Sequence, residues 1–258
     1  MTIPAKTALM VGHPGHELRV FHWLETHRPL MCCLTDGSGS LEKPRIDSAR
    51  RLLANAGASP GPIFCRVSDK QLYRFIMEGK SDFFVELVDE LARVWIAAEI
   101  DVVAGDAAEG FNPAHDLCRC IVDAAVARVR FLCGRQLANY QFLLEGRPDA
   151  CPAHLREAAI WLHLGEQDLA RKMAAALDYP ELKPEVELAI QHFGTEAFAL
   201  ECLYPADTQP MLELWENEAP GYERYGCQRV EEGRYKEAIG YRRHIRSIVN
   251  AIQKAIEA

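Results

Sequence analysis

The sequence predicts an α/β fold, a mostly parallel sheet flanked by helices and followed by a helix-rich C-terminal part. Three observations predict it. Short apolar runs alternate with amphipathic stretches through residues 1–135, the pattern of repeated strand–helix units. Beyond residue 136, segments with helical spacing take over. The 258 residues, 49% of them hydrophobic, suffice for one large core, and neither a low-complexity linker nor an internal repeat divides them. Residues 1–258 are therefore read as a single domain, with 1–135 as sheet core and 136–258 as the helix-rich part.

Each element has its own signal. TALMV is a compact apolar run and reads as the first strand, HELRVFHWLETH as a helix, and PLMCCLT as the second strand, ending in the turn-rich DGSGS. RIDSARRLLANAG is amphipathic and stops at Gly57, a residue suited to a helix C-terminus. PIFCRV reads as the third strand, SDFFVELVDELARVWIAAE as a helix, and DVVAGD as the fourth strand. NPAHDLCRCIVDAAVARVRFL opens another helix, with Asn112 placed to cap it and Pro113 in its first turn. In the C-terminal part, EAAIWLHLGEQDLARKMAAALDY, PEVELAIQHF and RYKEAIGYRRHIRSIVNAIQKAI read as helices, with EAFALECLY as a strand between them.

Composition narrows the partners. A net charge of -8, with Lys and Arg spread along the chain, argues against a phosphate backbone and so against nucleic acid. MTIPAKTALMVG carries one Lys and only a short apolar run, so neither a signal peptide nor a membrane span is expected, and the expected compartment is the cytoplasm. The nine cysteines are odd in number, lack a C-x-x-C, and sit largely among apolar residues, which fits reduced, buried thiols. Cys118 and Cys120 fall two apart in a helical pattern and point in different directions, a poor metal pair. A small-molecule substrate is the expected partner; the oligomeric state stays open, a homo-oligomer included.

The chemistry-bearing stretches are GHPGHE, just after the first strand, and GDAAEGFNPAHD, at and after the end of the fourth. In an open parallel sheet, sites form at the carboxyl ends of strands where the strand order reverses. With the order 3-2-1-4, strands one and four are neighbours, and His13, His16 and His115 can converge. Neutral imidazoles suit zinc, with iron or manganese as alternatives, and three such ligands with an open position make a catalytic type of site. Pro14 and Gly15 would form the turn that aims His13 and His16 at one point. The alternative is that each histidine is a satisfied polar residue at a strand end, and spacing does not decide between the two.

GHPGHE resembles the A-H-P-D-D-E motif of the LmbE/PIG-L family of zinc-dependent N-deacetylases, which act on acetylamino sugars and related conjugates. NPAHD, residues 112–116, is similar to the family's second motif, H-P-D-H. LTDGSG, Arg45 and the segment KMAAALDYPEL with Lys172 add looser similarity, and the resemblance covers mainly residues 5–130. It implies a Rossmann-like fold and a zinc site in which His13 and His115 match ligands. His16 stands where the family has a ligand aspartate, Gly15 where it has a general-base aspartate, and Asn112 where it has the histidine that opens the second motif. Three outcomes follow: a hydrolase with relocated catalytic groups, a different metal-dependent reaction, or a binding protein without turnover.

For the hydrolase, Glu17, Asp106, Glu109 or Asp116 would supply a base and Asn112 an oxyanion donor. Glu17 and Asp116 also lie in first helical turns, where a carboxylate favours the helix dipole without any catalytic role. Arg45, Ser38 and Arg229 are the candidate substrate contacts. DGSGS can offer backbone N–H groups to an anion or be a loop; Ser38 lacks a G-x-S-x-G setting, and GHPGHE lacks a dinucleotide fingerprint. Residues 222–244, with Arg224 and Arg229, either fold over the site and read an anionic group or form a solvated amphipathic helix. His22, His27, His154, His163, His192 and His244 show no spacing that joins them to the site and are read as structural.

Overall fold

The computed structural model describes residues 5–39, 42–147, 149–206, 215 and 218–257. Its elements are β1 (Thr7–Val11), α1 (Phe21–His27), β2 (Leu30–Thr35), α2 (Ile46–Ala56), β3 (Ser59–Val67), α3 (Asp69–Met77), α4 (Ser81–Ala97), β4 (Val102–Asp106) and α5 (Pro113–Cys133). There follow β5 (Ala138–Phe142), β6 (Ile160–His163), α6 (Glu166–Leu177), α7 (Lys183–Phe193), β7 (Leu200–Pro205), α8 (Gly221–Glu231) and α9 (Arg246–Ala255). The strands form one seven-stranded sheet in the order β3-β2-β1-β4-β5-β7-β6. β3 to β5 run parallel, while β7 pairs antiparallel with β5 and with β6.

The two-residue period of β1 explains the layering. Ala8 and Met10 face one core, with Trp95, Ile121 and Ile252 from α4, α5 and α9. Leu9 and Val11 face the other, with Leu24, Leu53 and Ala176 from α1, α2 and α6. A strand covered on both faces loses its polar alternation, which is why TALMV reads as a continuous apolar run. Helix ends follow their local chemistry: Gly57 closes α2 at φ 69°, and Asn112 Oδ1 caps α5 by accepting from Ala114 N at 2.8 Å.

The structure corrects the sequence reading in four places. Residues 157–179 are not one helix, because β6 occupies Ile160–His163 before α6 begins. Residues 234–240 are not helical; a single π-helical turn, Tyr241–Ile245, leads into α9. A helix, α3, was missing from the reading, although Ser68 and Gln71 form a reciprocal capping box at its start. The C-terminal part is helix-rich but also supplies β5, β6 and β7 to the same sheet. Its attachment is polar as well as apolar. Glu201 of β7, fully buried, accepts from His22 N and Trp23 N at 2.8 and 2.9 Å and pairs with Lys172 of α6 at 2.9 Å.

The thiols also divide differently from the reading. All nine cysteines are free, but Cys133 and Cys227 are exposed and Cys65 and Cys151 only half-buried. Among the described residues no helix is long and apolar enough to cross a membrane.

Candidate functional site

β1 and β4 are adjacent, and the chain leaves β1 toward β2 but leaves β4 toward β5, on opposite sides. Their carboxyl ends therefore open a crevice at the switch point. β1 ends at Val11 and the chain turns through Gly12–Gly15 into a short 3-10 helix at His16–Val20. Gly15 has φ 109°, and a Cβ there would stand 2.2 Å from Leu182 Cδ1, so only glycine makes this turn without strain. A Cβ on Gly12 would meet Asp106 Oδ2 at 3.2 Å and His115 Cδ2 at 3.5 Å, which shows how closely the two strand ends approach.

The turn and the start of α5 bring three imidazoles together. Ring centroids lie 5.2 Å apart for His13 and His16, 5.0 Å for His13 and His115, and 4.5 Å for His16 and His115. The partners of the first two fix their protons. Thr35 Oγ1 donates to Gly12 O at 3.1 Å, so its single hydrogen is used and it accepts from His13 Nδ1 at 2.6 Å. Asp69 Oδ1 lies 3.0 Å from the same nitrogen without accepting a hydrogen bond from it, since the N–H points at Thr35. Asp106 Oδ2 accepts from His16 Nδ1 at 2.8 Å and from Gly12 N at 2.7 Å. In both rings Nδ1 carries the proton and Nε2 keeps its lone pair. His115 meets them through ring contacts.

Electrostatics favour the neutral ring at His16 and His115. Burial holds His16 below its ordinary pKa against the pull of Asp106, and burial with the neighbouring His16 and His13 drives His115 well below. Burial pushes the Asp69 carboxyl up, but the neighbouring His13 ring and the Gly39 amide outweigh it and leave the group below its usual value. Imidazoles with a free Nε2 suit a first-row divalent ion in chemistry. In placement they do not close around one point: among the described residues no three His, Cys, Asp or Glu side chains are arranged to hold a metal ion as they stand.

The other sequence candidates have definite places. Glu17 has no exposed surface; Oε2 accepts from Gly15 N at 2.6 Å, Oε1 has no partner, and burial raises its pKa to about 7. Asp106 is equally buried, with Oδ1 unpartnered. Glu109 Oε1 accepts from Leu144 N at 2.7 Å and so ties the loop after β4 to the end of β5. Asp116 accepts from the amides of Glu109 and Gly110, both at 3.0 Å, and from Trp215 Nε1 at 3.1 Å, while burial raises its pKa to about 7. Asn112 Oδ1, besides capping α5, accepts from Tyr73 Oη at 3.2 Å, which leaves its NH2 group as the unused end.

Arg45 lies beside Gly37, and its charge adds a small pull behind burial, with it at His16 and against it at Glu17. Ser38 is buried in the loop after β2, its amide donating to Asp36 Oδ1 at 3.0 Å; Ser40 of the same DGSGS stretch lies outside the described residues. Arg229 sits on α8, paired with Glu232 at 2.7 Å and stacked on Tyr225, and no hydrogen bond joins it to the histidine group. Lys172 is the partner of Glu201 and serves the packing of α6 and β7.

Sequence reasoning missed Thr35, Asp69 and Tyr73, all of which touch site residues. The S-x-x-Q capping signature at Ser68 was the available signal for α3, which carries both Asp69 and Tyr73.

No family model matches the chain, and no curated protein matches it. Solved structures do. The zinc-inhibited form of teicoplanin deacetylase Orf2 superposes with a TM-score of 0.52 at 13% identity, covering 79% of this chain and 100% of that one. The A40926 pseudoaglycone deacetylase Dbv21 gives 0.48 at 13% identity, over 79% of this chain and 97% of that one. The likeness is one of fold: this chain shares the α/β fold of the teicoplanin deacetylase.

Proposed function

We propose that the protein is a metal-dependent hydrolase cleaving an N-acyl or related amide bond in a small sugar-like or amine-bearing metabolite. The observation that supports it most is the meeting of His13, His16 and His115 at the switch point of a deacetylase-like fold. These three would hold one divalent ion, zinc with iron or manganese as alternatives, after a turn of the rings that brings their free nitrogens together. When bound, the ion supplies Lewis-acid polarisation of the scissile carbonyl and acidifies water at neutral pH.

The chain's own groups divide the remaining work. Glu17, with a pKa near 7 and an unpartnered Oε1, takes the proton. Asp106 and Glu109, the other candidate bases, are engaged by His16 and by the Leu144 amide. Asn112 offers its NH2 to the developing oxyanion, its Oδ1 being held by Ala114 and Tyr73. Arg45, beside Gly37, and Ser38 would contact the substrate; Arg229 would reach it only by leaving Glu232.

A second reading, a metal- or ligand-binding protein of this fold without deacetylase turnover or with a different metal-dependent reaction, is favoured by one observation. Glu17 has no exposed surface, and Gly15 leaves no carboxylate in the turn to take its place. The test is a panel of N-acetylated amino sugars and amines, assayed with the metal-free chain and after loading with zinc, iron or manganese. Turnover that needs metal, disappears in His115→Ala and falls in Asn112→Ala supports the hydrolase. Stoichiometric metal binding with no turnover across the panel favours the second reading.

A further inference from the structure

The two carboxylates beside the imidazoles are themselves buried, and neither belongs to the proposed ligand set. Asp106 has no exposed surface, and its Oδ2 collects both the His16 ring and the Gly12 amide. Asp69, 5% exposed, reaches His13 from α3 while its other oxygen accepts from Gly39 N at 2.6 Å. Each is fixed by a backbone amide and turned toward a histidine. A buried carboxylate held this way costs solvation free energy unless it has a charged or strongly polarised partner.

We propose that Asp106 and Asp69 are positioning residues forming an anionic shell, one that sets the affinity of the three-histidine group for a divalent cation without contacting the ion. This rests on the metal reading above. By accepting from His16 Nδ1, Asp106 fixes that ring's tautomer and makes its Nε2 a stronger donor, while Asp69, 3.0 Å from His13 Nδ1 without accepting from it, acts through charge; the two negative charges together offset that of a bound ion.

The two roles are unequal, because the His13 N–H is accepted by Thr35 rather than by Asp69, whereas the His16 N–H has Asp106 alone. Loss of charge at residue 106 therefore weakens binding more than loss at residue 69. Removing Thr35 Oγ1 together with the Asp69 charge brings the His13 side down to the same level.

The experiment titrates the full-length, metal-free chain with zinc against a chromophoric chelator and records the cobalt(II) absorption spectrum of each variant. Asp106→Asn, which keeps an oxygen for Gly12 N, is expected to weaken zinc binding about 10- to 100-fold and to shift the cobalt bands, and Asp69→Asn less than about tenfold. Thr35→Val/Asp69→Asn is expected to match Asp106→Asn. Equal affinity in wild type and Asp106→Asn overturns the proposal while leaving the metal reading intact. Zinc affinity in wild type no higher than in His16→Ala overturns both.

A second measurement needs no variant. Long-range 1H–15N correlation of the histidine side chains in the metal-free protein is expected to show His13 and His16 protonated at Nδ1. Protonation at Nε2 in His16 contradicts the shell, whatever the variants do.

Discussion

At the residue scale, the site is built from constraints that single positions impose. Gly15 is held at φ 109° against Leu182, so Gly15→Ala should cost roughly 1–3 kcal/mol in urea unfolding, and adding Leu182→Ala should relieve the clash but not the dihedral strain. Glu17 gives a pH dependence with a definite sign. Its carboxyl, ordinarily at 4.5, is raised to about 7 by burial, so the folded state holds the proton more tightly than the unfolded one. In the metal-free chain, stability from this group is full below pH 4.5 and falls as pH rises through about 7. Glu17→Gln should therefore shrink the loss of unfolding free energy between about pH 5 and pH 8 by roughly 2–3 kcal/mol; an unchanged loss contradicts the assignment. His13, His16 and His115 were legible because each follows or opens an element at a strand's carboxyl end. Thr35 and Asp69 were not, since a hydroxyl at the end of one strand and a carboxylate at the start of an unrecognised helix declare themselves only when three-dimensional proximity gives them a ring to hold.

At the scale of elements, the first five parallel strands and their helices carry the site, and the later ones lock it. Asn112 caps the long helix α5 that delivers His115, so Asn112→Ala should lower stability by about 1 kcal/mol apart from any catalytic effect. Glu201 fastens the start of α1 to β7 and holds buried Lys172. Glu201→Ala strands that ammonium, and thermal or urea unfolding should register a loss of about 3–5 kcal/mol. A variant within about 1 kcal/mol of wild type would show that Lys172 finds another partner. β1, β2, β4, α2 and α5 were readable because covered parallel strands are continuous apolar runs and capped helices announce their ends. β5 and β6 were not: ANYQF is mixed in polarity, and IWLH runs directly into the helical pattern of α6. Their strand identity comes from pairing with β4 and β7, a tertiary cause that local periodicity does not contain.

For the whole molecule, topology makes the site: the order β3-β2-β1-β4 sends the chain to opposite sides after β1 and β4 and leaves their histidines facing one another. The order that fold habit leads one to expect is the one the structure has. The fold is shared with the teicoplanin deacetylase at 13% identity; what stands to be tested is the proposal that three imidazoles, two of them anchored through Nδ1, take up one divalent ion. The most direct measurement is elemental analysis of the purified full-length chain after equilibration with zinc, beside folded His13→Ala, His16→Ala and His115→Ala variants. About one metal ion per wild-type chain is expected, lost in all three variants. A wild-type chain that takes up no metal, or variants that keep it, would rule out a metal site at these three histidines.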